Sequence, residues 1–71
     1  MKRHKRQYPG LAGKVIKRVN SFEQDGEVYI DIRFADNTQL TFVLAPQVPK
    51  ITVELLRWKG GNSSLVRAYT P

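Results

Sequence analysis

The side chains of this chain that could do chemistry are cations and aromatic rings. Lys2, Arg3, Lys5 and Arg6 crowd the first six positions around His4, and Lys17, Arg18, Arg33 and Arg67 follow at wider spacing, with Trp58 and Tyr69 as the accompanying rings. Lysine and arginine at this density attract phosphate backbones by releasing condensed counterions, whatever the base sequence. Rings beside such cations stack on exposed bases, at about 1–3 kcal/mol per base. These ten residues are the candidate nucleic-acid-binding set. Each also has a structural role to offer. A basic terminus can simply solubilise. Charges on a terminal strand deter edge-to-edge pairing. Glu27, Asp31 and Glu54 can pair with strand cations, and a Trp–Tyr pair across a hairpin stabilises a sheet as readily as it holds a ligand.

The charge is unevenly spread. Twelve basic residues stand against six acidic ones, for a net charge of +6. Four of the twelve lie in the leader, so the remaining eight nearly balance the six acids. The body's cations include Lys14, Lys17 and Arg18 on a first strand, Arg33 on a second, Arg57 and Lys59 around a fourth, and Arg67 on the last.

Other chemistries lack their residues. There are no cysteines, which excludes disulfides, thiolate metal sites and cysteine nucleophiles together. The single histidine, His4, sits inside the leader, so no histidine cage for a metal can be assembled. Glu23, Asp25, Glu27 and Asp36 fall at turns, where carboxylates stay solvated, and acid–base catalysis needs a pocket that shifts a pKa. A sheet filled by its own side chains offers no such pocket. The expectation is therefore no catalytic residue, no cofactor, no metal and no small-molecule substrate. No apolar run is long enough to cross a bilayer. The basic start resembles the head of a secretory signal, but Gln7-Tyr8-Pro9-Gly10 follows where an apolar stretch would be required, so the chain reads as cytoplasmic.

The elements that must position these residues read as strands. Val28, Ile30, Ile32 and Phe34 alternate with Tyr29, Asp31 and Arg33, the period of a half-buried strand. Asp36-Asn37 supplies residues that tolerate positive φ, and the chain returns through Leu40, Phe42 and Leu44. Upstream, Asp25-Gly26 is a second hairpin signal, so Lys14 to Glu23 should pair with Glu27 onward. That segment also fits one face of a helix through Leu11, Val15, Ile16, Val19 and Phe22. Its β-branched content favours the strand, with a bulge near Arg18 to reconcile the alternation. Pro46-Gln47-Val48-Pro49 is a loop, because proline cannot sit in a central ladder. Ile51, Val53 and Leu55 resume the pattern, with Leu56 and Trp58 on the opposite face, and a short helix over 48–58 is the rival that Thr52 and Val53 oppose. Gly60-Gly61-Asn62-Ser63 turns the chain into a last strand from Leu65 to Thr70.

Three motif matches are weak. Gly10-Leu11-Ala12-Gly13 lacks the flanking helices of a backbone-clamping GxxG loop. The Pro46 to Pro49 segment is a turn before it is a proline-rich ligand. Ser21-Phe22-Glu23-Gln24 resembles a capping box that Asp25-Gly26 cuts short.

Residues 1–10 thus read as a disordered basic arm, and 11–71 as a single small β domain. Its expected fold is all-β: a five-stranded antiparallel meander curling into a small SH3-like barrel. Closure would bring Lys17 or Arg18 beside Arg67. The expected function is a small non-enzymatic binding module that holds nucleic acid through the arm and the basic strand faces. The alternative is a protein–protein module or assembly subunit, in a homo-oligomer or with another protein, using an open edge strand or apolar face. A chain of this length buries only about 60% of its unfolded surface, which makes a partner chain a natural supplement to the core.

Overall fold

Turn chemistry sets the architecture. Asp25 and Gly26 both adopt left-handed backbone angles, with φ of 53° and 79°, the pairing that a two-residue hairpin loop requires. Ile16–Gln24 (β1) therefore folds back on Glu27–Phe34 (β2). The next loop has three residues, Ala35 to Asn37, with Asn37 at φ 68° and its N–H donating to the Phe34 carbonyl at 3.3 Å. Asp36 takes no positive φ here. Its carboxylate instead accepts the Thr38 N–H at 3.1 Å, which stiffens the entry to Thr38–Ala45 (β3). Lys50–Lys59 (β4) returns after the proline loop, and Gly60-Gly61, at φ 59° and 82°, turns it into Asn62–Ala68 (β5). The computed structural model describes residues 7–48 and 50–69.

The result is one five-stranded antiparallel sheet in the order β1-β2-β3-β4-β5, with no helix among the described residues. Both segments for which a helix was the rival are strands. A bulge lies between Ile16 and Arg18, where the alternation of β1 required one. The sheet is open. Three strands separate β1 from β5, so the closure that would have set Lys17 or Arg18 beside Arg67 is not formed among the described residues.

One face carries the core. Register aligns Val19, Ile32, Leu40, Leu55 and Arg67 in one row across the five strands, and Ser21, Ile30, Phe42 and Val53 in the next. Phe34, Leu40, Val53 and Leu55 are buried, with Ile32 and Phe42 packed against them. The cover comes from the segment that precedes β1. Tyr8 sets its ring edge-on to Phe42 (5.8 Å, 82°) and to Tyr69 (5.3 Å, 89°), and Leu11 joins the same cluster. Two turns lay this segment down. Gly10 at φ 90° follows Pro9, and Gly13 at φ 79° precedes Lys14, whose N–H donates to the Leu11 carbonyl at 3.2 Å. Glycine at the third position is what such type II turns require. The Gly10 to Gly13 motif is thus a pair of turns, and the sequence interval assigned to the arm includes a tyrosine that caps the core.

The other face holds Arg18, Arg33 and Gln39 in one row and Phe22, Tyr29 and Val43 in another. Its rings are already engaged. Tyr29 stacks on Phe22 at 4.8 Å with planes 2° apart. The Arg33 guanidinium lies 5.1 Å over Trp58, whose Nε1 donates to Gln39 Oε1 at 3.2 Å.

Candidate functional site

The basic residues are divided between the two faces but gathered at one end of the sheet. The row through Asn20, Asp31, Thr41 and Glu54 is the midline. Beyond it, toward the β2–β3 and β4–β5 turns, lie Arg18 and Arg33 on the open face and Arg57 and Arg67 on the core face. Lys17 sits at the bulge on this side, Lys59 beside the glycine turn, and Lys14 against Thr38. Only Lys50 of the body's cations lies at the far end. That end instead carries Glu23, Asp25 and Glu27 around the first hairpin turn. Past the midline, Asp36 is the one carboxylate of the basic half.

The core face of the basic half contains a groove of about 260 Å³ lined by Pro9, Gly10, Lys14, Thr38, Leu55, Arg57, Val66, Arg67 and Tyr69. Sheet register builds its floor. Thr38 is directly opposite Arg57 and Leu55 directly opposite Arg67, so the two arginines are diagonal neighbours on adjacent strands, with backbones roughly 7–8 Å apart. The turn at Gly13 then brings Lys14 over the end of β3, where its ammonium donates to Thr38 Oγ1 at 3.0 Å and forms an ion pair with Asp36. Thr38, almost wholly buried at 1% exposure, passes its own hydroxyl proton toward the same carboxylate. The hydrogen bond from Lys14 and then that from Thr38 draw the Asp36 carboxyl down from 3.8 to about 2, against an opposing effect of desolvation. Asp36 is thereby committed to Lys14 and Thr38. Neither Arg57 nor Arg67 has a carboxylate within ion-pair distance among the described residues.

The groove has a second wall in the chain's own start. Tyr69 Oη and Arg67 Nη1 both donate to the Pro9 carbonyl, at 2.6 Å and 3.3 Å, and the Arg67 guanidinium lies 6.0 Å over the Tyr69 ring. A Cβ at Gly10 would meet the Tyr69 hydroxyl at 3.8 Å and Arg67 at 3.9 Å, which is ordinary contact, so backbone angle and not space calls for glycine there. Pro9 is only three positions after Arg6. Pro9 and Gly10, close after the basic leader in sequence, thus line a groove whose two arginines are unneutralised among the described residues.

Of the ten residues in the candidate set, Lys2, Arg3, Lys5 and Arg6 lie outside the described residues. The other six do not form one stripe. Arg67 and Tyr69 are in the groove. Arg18, Arg33 and Trp58 are on the opposite face, with Lys17 at the edge. Trp58 lies opposite Ser63, while Tyr69 donates its N–H to the Val53 carbonyl at 2.8 Å on the core side, so these rings do not meet across the last hairpin. The strand pattern alone did not single out Lys14 and Arg57, which complete the groove. Arg57 was in principle available, since it shares the phase of Val53 and Leu55 on β4. Lys14 required the Gly13 turn.

No group of three or more metal-ligating side chains occurs among the described residues. No helix of the described residues is long and apolar enough to cross a membrane. No family model, curated protein or solved structure matches this chain.

Proposed function

We propose that the protein is a non-enzymatic module that holds the phosphate backbone of nucleic acid at the basic end of its sheet, with the leader and the groove acting as one surface. The observation that carries this reading is the polarity of the body: seven of its eight cations lie on one side of the midline, and the groove on that side is lined by Pro9 and Gly10, which follow closely on the leader in sequence. A solubilising charge distribution has no need of such polarity. Arg57 and Arg67 supply the fixed contacts and the leader the additional ones. Guanidinium groups suit phosphate oxygens because they present paired donors in a fork. The rings add little stacking, because Trp58 is occupied by Arg33 and Gln39, and Tyr69 by Pro9 and Tyr8. Binding is thus dominated by charge and indifferent to base sequence.

Fluorescence anisotropy of labelled single-stranded and duplex oligonucleotides, measured across a salt series, tests this. The expected result is affinity that falls steeply with salt. Deleting residues 1–6 should lower the log–log slope on single strands by up to about 3, and Arg57→Ala with Arg67→Ala by about 1.4, from roughly 0.7 per phosphate neutralised. Absence of salt-sensitive binding by the full chain sinks the proposal.

A further inference from the structure

The nine residues of β1 are all exposed, although they include Ile16, Val19 and Phe22. Among the described residues nothing pairs with the outer side of this strand, so a row of backbone donors and acceptors is open there. We infer that β1 pairs with β1 of a second copy, antiparallel about a two-fold axis at Asn20, to give a continuous ten-stranded sheet.

Charge fixes both the partner and the register. A two-fold axis perpendicular to the sheet sets residue i opposite a residue of the same face, so the axis passes through a single residue. Centred on Asn20, the pairing puts Lys17 opposite Glu23 twice, once on each side of the axis, and Arg18 opposite Phe22. Centred on Val19, it puts Lys17 opposite Ser21 and Glu23 opposite Val15. Centred on Ser21, it leaves Glu23 opposite Val19 and sets Lys17 against Asp25, which lies in the turn beyond the strand. Only the Asn20 register pairs opposite charges within the strand, and directly opposed charges of unlike sign stabilise antiparallel pairs. The same arrangement runs the basic end of one body along the acidic end of the other, Lys17 and Arg18 against Glu23 and Asp25. The polarity of the whole domain therefore favours the antiparallel pair.

The other edge is less suited. In β5 the register shifts between the partners of Leu55 and Leu56, which leaves Val66 as an extra residue in mid-strand. A bulge there interrupts the edge and obstructs pairing. In β1 the bulge lies at Lys17, next to the end of the strand, so Arg18 to Gln24 runs without a shift and Lys17 meets Glu23 at the margin of that regular run. A β1–β5 contact would also join unlike surfaces and propagate rings or filaments, whereas β1–β1 closes at two.

Sedimentation equilibrium of the full chain should give a dimer that dissociates on dilution. Lys17→Glu alone and Glu23→Lys alone should each weaken it roughly tenfold, through loss and reversal of two cross-strand pairs. The double exchange Lys17→Glu with Glu23→Lys should restore it. The chain has no cysteine, so Asn20→Cys provides an independent readout. At the two-fold the facing Cα atoms are about 4.5–5.5 Å apart, inside the range of a disulfide. Under mild oxidation that variant should cross-link fully and Leu65→Cys should not. A monomer at all concentrations overturns the inference, as does a dimer indifferent to the charge exchange or one cross-linked through position 65.

Discussion

The centre and the edges of this sheet follow the same alternation and come to different ends. In the middle of β3 and β4 the inward phase disappears from solvent: Leu40 is 4% exposed, Val53 0% and Leu55 5%. In β1 the corresponding phase stays outside, with Val19 57% exposed, and in β5 Leu65, opposite Leu56 on the other face, is 56% exposed. Pattern and propensity do not account for the contrast, since Val19 is as good a strand residue as Val53. What differs is cover. Tyr8 and Leu11 reach the middle of the face, over Phe42 and Tyr69, and do not extend across both flanks. A chain of this size buries only a limited share of its surface, which leaves its edge strands to water or to partners.

The sharpest way to break that contrast is to remove equal volume from the two regions. Leu40→Ala should cost about 2–5 kcal/mol, as large-to-small changes in filled cores do. That approaches the whole stability of a domain this small. Leu65→Ala at the β5 edge should stay within about 0.5 kcal/mol. Urea denaturation followed by tryptophan fluorescence of Trp58 measures both, and similar losses at the two sites would show that the edges contribute to the core after all.

The role of the cover is next in size. Tyr8→Ala removes two edge-on ring pairs from a segment that no strand pairing retains. A loss of about 1–3 kcal/mol is expected from those pairs. Hydrogen exchange should show Lys14 and Ala35, whose N–H groups donate to the Leu11 and Val15 carbonyls, losing protection before β3 and β4 do. Unchanged exchange at those amides would mean that the segment is held by something other than Tyr8.

The smallest effect concerns the ion pair that ends the cover. The Asp36 carboxyl titrates lower in the folded protein than in the unfolded chain, about 2 against 3.8. Its contribution is therefore complete above about pH 4 and is lost as pH falls through about 2. The stability gap between the native chain and Asp36→Asn should be constant near neutrality and should close across that acid window. A gap independent of pH would indicate that Asp36 acts through its turn geometry with Thr38 and not through its charge.

Much of the strand plan was legible in the residues. Val28 to Phe34 and its return through Leu40 to Leu44 declared themselves by alternation, and Asp25-Gly26 by its tolerance of positive φ. The bulge was required because Ile16 and Val19 cannot otherwise face one way. Leu56 and Trp58 turned their phase outward as the pattern of β4 demanded. Less was legible of the site. Trp58 and Tyr69 were paired by their nearness in the last hairpin, but the bulge at Val66 and the reach of Tyr69 to Val53 put them on opposite faces. Lys14 could be read as a strand residue only until Gly13 turned it toward Thr38.

The amino-acid order alone determined the strands, most of the turns, the absence of thiol and imidazole chemistry from the body, and the cationic leader. These follow from interactions within a few residues, or from composition. The folded sheet decided that the edges remain apart, that residues 8–11 roof the core, and that Lys14, Arg57 and Arg67 meet beside Pro9. Those outcomes depend on register carried through four hairpins and two bulges, and on contacts between residues about sixty positions apart. No short-range rule contains that information.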